Sequence, residues 1–121
     1  MVIGDFYTAE EVEAKTAGGY SYIRTRNNAV RGLAITLDMN PDAPNIVIVG
    51  DGERIKNNAE LFKRTITPVK TFIKHDTNKW EYVGRYNVKK YSKSLEIIEQ
   101  YRKHRPANEV TGILFLIKEN N

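Results

Sequence analysis

The sequence predicts an α+β domain built on a small, curved or closed β-sheet. Segment 80–91 carries the first indication, because aromatic and β-branched residues alternate there with polar ones, as in a half-buried strand. It is longer than the usual strand of about 5–6 residues, and Gly84 lies where a bulge would bend it. Strand patterns also outnumber helix patterns, and no linker divides the 121 residues. We therefore expect one domain, 1–121, in which the sheet curves into a small β-barrel flanked by two or three helices.

The elements before residue 45 follow from local signals. Thr8 and Glu11 have the spacing of a capping box, which predicts a helix over 9–16 that ends at Gly18-Gly19. Further predicted elements are a strand over 19–25, a polar loop over 24–32, a strand over 33–37 and a proline-containing loop over 38–44.

The second half of the chain is predicted in the same way. Its elements are an apolar strand over 45–49, a tight turn over 50–52, a helix over 53–64, a strand over 69–74, a turn over 75–79, the long strand over 80–91, an amphipathic helix over 92–104 and a final strand over 111–118. In the long strand, Trp80, Tyr82, Tyr86 and Val88 are expected to share one face. In the amphipathic helix, the apolar side is expected to carry Leu95, Ile98 and Tyr101.

Composition excludes several kinds of site. The chain has no cysteine and two histidines, so neither a disulfide nor a thiolate metal site is available, and we expect no cofactor. It has no signal-peptide pattern, and no apolar run approaches the ~18 residues of a membrane helix. We therefore expect a soluble, cytoplasmic protein without a membrane partner.

Charge favours a polyanionic partner. The net charge is +4, although residues 1–16 hold four acidic residues and one basic residue. The basic excess therefore lies in the rest of the chain, where an ordinary solvated surface is the alternative reading. Segment 24–31 has three arginines and two asparagines, side chains that bind phosphates and base edges. A solvated loop with turn-forming asparagines would explain the same segment.

Catalytic patterns are weak. Gly50-Asp51-Gly52 lacks the lysine and Ser/Thr of a phosphate-binding P-loop, which favours a tight turn. His75 stands beside Asp76, but no nucleophile accompanies the pair, so turn chemistry is the better explanation. These observations disfavour a small hydrolase.

Five segments occur in an order that resembles a known family. Gly50-Asp51-Gly52 precedes Asn58-Ala59-Glu60-Leu61, then come Pro68 to Phe72, the aromatic stretch 80–88 and the apolar strand 113–117. This succession resembles the SRA domain, also called YDG, of the PUA-like superfamily. It is most similar to the SRA-like modules of bacterial modification-dependent HNH endonucleases, and Tyr82-Val83-Gly84 stands at the family's Tyr-x-Gly motif.

The resemblance implies a curved PUA-like barrel that binds duplex DNA and flips a modified cytosine, such as 5-methylcytosine, into a pocket. In the family the pocket comes from the segment that matches 34–52, where Asp38 or Asp42 would accept a hydrogen bond from the cytosine amino group. The family's stacking tyrosines are replaced here, so either another aromatic residue, such as Phe72, serves or the pocket recognises something else. The residues predicted for the base pocket are Leu37, Asp38, Asp42, Ile48, Val49, Tyr20 and Tyr22.

The resemblance and the charge together give the predicted DNA contacts. They are Arg24, Arg26, Asn27, Asn28 and Arg31, in the loop expected to enter a groove, and Lys63, Arg64, Lys70, Lys74, Lys79, Arg85 and Lys89, expected to contact phosphates. A nuclease domain or subunit is the expected partner, because such modules usually serve an effector. The alternative function is a PUA-like RNA-binding or protein-interaction module that flips no base.

Overall fold

The chain forms seven strands and three helices within the residues that the computed structural model describes, which are 1–17, 19, 21–102, 105 and 109–120. In order they are β1 (Phe6–Tyr7), α1 (Ala9–Thr16), β2 (Ile23–Arg26), β3 (Ala29–Thr36), β4 (Ile46–Val49), α2 (Glu53–Lys63), β5 (Val69–Asp76), β6 (Lys79–Ser92), α3 (Leu95–Tyr101) and β7 (Gly112–Lys118).

The strands form one curled sheet in the order β2-β3-β5-β6-β7-β4, and β1 pairs with β6. All pairs are antiparallel except β3 with β5. The sheet is a half-barrel, since the outer strands β2 and β4 form no ladder with each other in the described residues. The expected α+β class with a curved sheet and flanking helices is confirmed, and the curvature stops short of closure.

Side chains bridge the gap between the two edge strands. The Tyr22 hydroxyl, just before β2, donates to the Ile48 carbonyl of β4 at 2.7 Å and accepts from the Gly50 N–H at 3.3 Å. On the same side, Asn58 Nδ2 of α2 donates to the Ile23 carbonyl at 3.1 Å. These bonds satisfy backbone groups that an open sheet edge would leave unpaired. We call this set of contacts the seam.

The two faces of the sheet carry separate cores. The inner-face core contains Leu33 and Ile35 of β3 and is covered by Ala59 and Phe62 of α2. Ala34, between them in sequence, points to the outer face, as strand alternation requires.

Two helices cover the outer face. Helix α1 packs Val12 against Ala34 and Phe72, and α3 packs Ile98 against Ile48 and Ile113. Strand β4, which follows from the apolar run over 45–49, is therefore covered on both of its faces.

Strand β6 changes face at a bulge. Gly84 has a φ of 115°, and the register with β5 shifts between Thr71 and Phe72. Trp80 and Tyr82 consequently belong to the outer-face core, whereas Tyr86 belongs to the inner-face core. The expected bulge at Gly84 is confirmed, but the prediction that Trp80, Tyr82, Tyr86 and Val88 share one face is wrong, because the extra residue reverses the alternation.

The predicted loop over 24–32 is wrong. Strands β2 and β3 form a hairpin there, closed by Asn27 and Asn28 with φ of 55° and 59°. Two consecutive positive φ values are typical of a type I′ turn, which asparagine tolerates and which matches the twist of paired strands. The arginines are therefore held on a rigid hairpin.

The predicted helix over 92–104 is shorter in the structure. Ser92 is the last residue of β6, and α3 spans Leu95–Tyr101. Ile98 is buried and the Tyr101 ring contacts that of Phe115, but Leu95 is 79% exposed, so the prediction that it packs is wrong. Positions 103 and 104 lie outside the described residues.

Candidate nucleic-acid interface

A cavity of about 350 Å³ opens beside the end of β3. Its aromatic lining residues are Tyr22 and Trp80, and Thr36 and Asn40 provide polar groups. Ala34 and Met39 add apolar surface, and Arg24 and Arg105 add cations. The volume lies within the range of about 300–1,000 Å³ that is usual for small-ligand sites. We call it the aromatic cavity.

Trp80 is held in the aromatic cavity by the outer-face core. It clusters with Val12, Phe72 and Tyr82 and is 8% exposed. Its Nε1–H is buried without a hydrogen-bond partner in the described part of the chain. A buried indole N–H usually finds an acceptor. Lys74, the cross-strand neighbour of Trp80, places its Nζ 5.9 Å from the centre of the Trp80 ring.

Tyr22 and Asn40 are fixed to strand β4. Besides the seam contacts of Tyr22, the Asn40 Oδ1 accepts from the Ile48 N–H at 2.7 Å, and Asn40 is 2% exposed. Burial raises the pKa of Tyr22 above its usual value near 10. The hydroxyl therefore stays protonated at neutral pH and continues to donate to the Ile48 carbonyl.

Arg24 is partly structural. Its Nη1 donates to Thr16 Oγ1 at 3.1 Å and its Nε donates to the Ser21 carbonyl at 3.2 Å. Burial lowers the pKa of Arg24, but the guanidinium remains charged at neutral pH because an arginine side chain is effectively always protonated in proteins. Arg24 thus ties β2 to the end of α1 while it also lines the aromatic cavity.

Of the residues predicted for the base pocket, Tyr22 lines the aromatic cavity and Tyr20 lies outside the described residues. Leu37, Asp38 and Asp42 are exposed in the turns that follow β3. Ile48 and Val49 are buried in the two cores and do not line this cavity.

Sequence reasoning missed Thr36, Met39, Asn40 and Trp80 as cavity residues. Thr36 ends β3, Met39 and Asn40 lie in the turn that follows it, and Trp80 lies in the distant strand β6, so their proximity depends on the pairing of β3, β5 and β6. Phe72, the other aromatic candidate, is fully buried beneath α1.

A second cavity, of about 560 Å³, lies at the other end of β3. The side chains Val30, Leu61, Pro68 and Val69 provide an apolar floor, and Asn28 of the hairpin turn also lines it. Its basic lining residues are Lys15, Arg31, Arg64, Lys70 and Arg85. We call it the cationic groove. It brings together five predicted DNA contacts, Asn28, Arg31, Arg64, Lys70 and Arg85, and adds Lys15, which was not predicted.

The remaining predicted DNA contacts are dispersed. Arg26 Nη2 donates to the Ala17 carbonyl at 3.3 Å, and Asn27 forms the hairpin turn. Lys79 lies with its Nζ 4.9 Å from the centre of the Phe6 ring, near the start of β6. Lys63 ends α2, and Lys89 is exposed at a second register shift of β6.

The described residues hold no group of three or more His, Cys, Asp or Glu side chains that could bind a metal ion. None of the described helices has the length and apolarity needed to cross a membrane. His75, considered with Asp76 in the sequence, instead places its Nε2 2.7 Å from Glu81 Oε1.

Two solved structures of the SUVH5 SRA domain match the chain. The structure in complex with methylated CHH DNA has a TM-score of 0.60, and the structure bound to fully hydroxymethylated CG DNA has a TM-score of 0.66. Each has 14% sequence identity, and each match covers 100% of this chain and 96% of the other. The chain has the SRA fold. The expectation drawn from the order of sequence motifs is therefore confirmed at the level of the SRA fold.

The comparisons of sequence gave no further relatives. No protein-family model matches the chain, and no curated protein sequence matches it. The chain thus shares the course of its backbone with these SRA domains, whereas most of its side chains differ from theirs.

Proposed function

We propose that this SRA-fold domain is a non-enzymatic reader of modified cytosine, 5-methylcytosine or a relative, in duplex DNA, and that it acts in the cytoplasm. The observation that carries the proposal is an aromatic cavity of base-binding size on a fold shared with domains crystallised on methylated and hydroxymethylated DNA. A base that leaves the duplex needs stacking surfaces and hydrogen-bonding groups in its pocket. Tyr22 and Trp80 would supply the stacking surfaces. Asn40 and the unpartnered Trp80 Nε1–H would supply the hydrogen-bonding groups.

Cations near the aromatic cavity would hold the DNA backbone. Arg24 and Arg105 line the cavity, and Lys74 lies against Trp80. Such contacts set the position of the duplex without reading its sequence. Asp38 directly precedes Met39 of the cavity lining, and we propose it as the acceptor for the cytosine amino group.

The distribution of aromatic side chains supports duplex reading over single-strand reading. Single strands are usually bound by rows of exposed aromatic rings on which bases stack. Among the described residues, Phe6 at 53% is the exposed large aromatic side chain, and Trp80 and Phe72 are buried. A PUA-like RNA-binding or protein-interaction role is therefore the weaker proposal.

Cavity filling tests the proposal. Fluorescence polarisation is measured on one duplex that carries cytosine, 5-methylcytosine or 5-hydroxymethylcytosine at a single position. Wild type should prefer a modified duplex, and Thr36→Trp, which places a ring in the aromatic cavity, should abolish that preference. Thr77→Trp adds the same ring at the exposed turn between β5 and β6 and should keep it. Equal affinity of wild type for all duplexes would refute the function, and an unchanged preference in Thr36→Trp would refute the site.

We further propose that the effector is a nuclease domain or subunit that acts on the bound DNA. The purified chain alone should therefore leave a methylated plasmid uncut in the presence of Mg²⁺, as read on an agarose gel. Cleavage that increases with protein purity would show that the chain is itself an enzyme.

A further inference from the structure

The cationic groove concentrates positive charge. Five cationic side chains and no acidic side chain line its 560 Å³. Arg85 pairs with Glu119, with 2.7 Å between Nε and Oε2, and Lys15 Nζ lies 5.3 Å from the centre of the Tyr7 ring. Arg31, Arg64 and Lys70 are exposed and form no ion pair with any described residue. A cleft lined by one sign of charge focuses its field and attracts counter-ions.

The cations lie on regular elements of the fold. Arg31 follows the type I′ turn on β3, Lys70 is the second residue of β5, and Arg64 caps α2 through its backbone N–H. Between them lies an apolar floor that includes Leu61 and Pro68. Cations above an apolar floor match a chain of phosphates joined by apolar sugar carbons.

The cationic groove is separate from the aromatic cavity. At about 3.3 Å per residue along a strand, Arg31 in the groove and Thr36 in the cavity lie roughly 17 Å apart. Helix α1 packs along the outer face between these ends and exposes three carboxylates, those of Glu10, Glu11 and Glu13. Negative charge on this face would repel a DNA backbone that ran directly from one site to the other.

We propose that the cationic groove is a nucleic-acid backbone site that acts independently of the aromatic cavity and of base modification. The groove supplies general affinity for phosphodiester chains, whereas discrimination between bases belongs to the aromatic cavity. The inference does not require a base to enter that cavity, so it is testable even on a duplex without any modification.

The salt dependence of binding tests the inference. Each phosphate neutralised on duplex DNA contributes about −0.9 to the slope of log K against log salt concentration. The double variant Arg64→Ala/Lys70→Ala should therefore reduce the slope on an unmodified duplex by roughly 2. The matched control Arg54→Ala/Lys90→Ala also removes one arginine and one lysine, from exposed positions on α2 and β6 outside the groove, and should leave the slope near that of wild type.

A second measurement tests whether the cationic groove acts independently of base modification. The ratio of affinities for modified and unmodified duplexes should be the same in Arg64→Ala/Lys70→Ala as in wild type, while both affinities fall together. An unchanged salt slope would overturn the groove as a backbone site. A collapse of the affinity ratio, with folding verified by circular dichroism, would overturn its independence. Neither result depends on whether the Thr36→Trp variant loses its preference.

Discussion

Gly32 shows how a single residue fixes the position of a helix. It lies in β3 below the end of α1, where a Cβ would collide with Thr16 Cγ2 and Cβ and would come within 3.1 Å of the Lys70 carbonyl. Thr16 cannot retreat easily, because it is fully buried and its hydroxyl donates to the Val12 carbonyl at 2.7 Å. Only a residue without a side chain allows α1 and β3 to approach this closely.

Gly32→Ala should destabilise the fold by about 1–3 kcal/mol, the usual cost of overpacking. Urea denaturation followed by circular dichroism measures the effect. Gly50→Ala is the matched control, because the nearest atom to its Cβ would be at 3.7 Å. Equal stability of the two variants would contradict the close contact between α1 and β3.

Asp38 and Asp42 are both exposed. Asp38 is the direct sequence neighbour of Met39 in the cavity lining, whereas Asp42 is two residues away from Asn40, the nearest lining residue in sequence. Asp38→Ala should reduce the preference for modified over plain DNA by about 1–3 kcal/mol, the value of a hydrogen bond to a charged group or a base edge. Asp42→Ala should leave the preference unchanged. The polarisation assay with paired duplexes distinguishes them, and an unaltered preference in Asp38→Ala would remove this carboxylate from the site.

At the scale of elements, α1 begins with a complete capping box. The Thr8 side chain accepts from the Glu11 N–H at 3.2 Å, and Glu11 Oε1 accepts from the Thr8 N–H at 2.9 Å. The hydrogen bond from the Thr8 N–H, with a smaller contribution from the Thr8 side chain, lowers the pKa of the Glu11 carboxyl group below its usual value. The sequence predicted this helix with its correct bounds, because the capping signal is local and needs no tertiary contact.

The stability difference between wild type and Glu11→Ala should depend on pH. A carboxyl group whose pKa is lowered on folding stabilises the fold above its unfolded pKa, and that contribution is lost as pH falls through the folded value. Wild type should therefore melt at a higher temperature than Glu11→Ala at pH 7, and this difference should narrow as the pH falls below about 4. Glu10→Ala is the control, because Glu10 lies in the same first turn without a capping bond. A difference in melting temperature that is the same at pH 3 as at pH 7 would contradict the role of the carboxylate.

The hairpin β2–β3 could not be recognised from local sequence. Asparagine and glycine are depleted in strands and common in turns, so segment 24–32 has the composition of a loop. The strands of this hairpin pair with each other, and residues 33–36 of β3 then join the hairpin to β5, some forty residues later in the chain. A positive φ at both asparagines is compatible with their side chains but is not required by them.

At the scale of the molecule, the seam holds the half-barrel together at its open side. Tyr22 joins the edges of β2 and β4 with a hydroxyl that is both donor and acceptor. The succession of most strands along the chain and the curvature of the sheet were predictable, because apolar periodicity and the position of Gly84 are local features of the sequence. The aromatic cavity was not, since Tyr22 is the one described lining residue that the sequence predicted for the base pocket, and the others meet through long-range pairing.

Tyr22→Phe separates the two functions of this ring. Loss of the hydroxyl should cost about 0.5–1.5 kcal/mol and should accelerate hydrogen exchange at the Gly50 amide. Binding of modified DNA should change little, because the stacking surface is retained, whereas Tyr22→Ala should weaken it as well. Identical exchange of the Gly50 amide in wild type and Tyr22→Phe would show that the seam contributes nothing to closure.

At the Gly84 bulge, the large side chains of β6 change from one face of the sheet to the other. Before it, Trp80 and Tyr82 point outward, and after it Tyr86 points inward. Regular pairing of every residue, without the bulge, would turn the whole downstream half of the strand over. Tyr86 would then face water and Arg85 would face the hydrocarbon interior. Homologous chains should therefore keep the bulge, or lose it together with one residue such as Val83, because that deletion leaves Gly84 opposite Thr71 and both halves of the strand on their present faces.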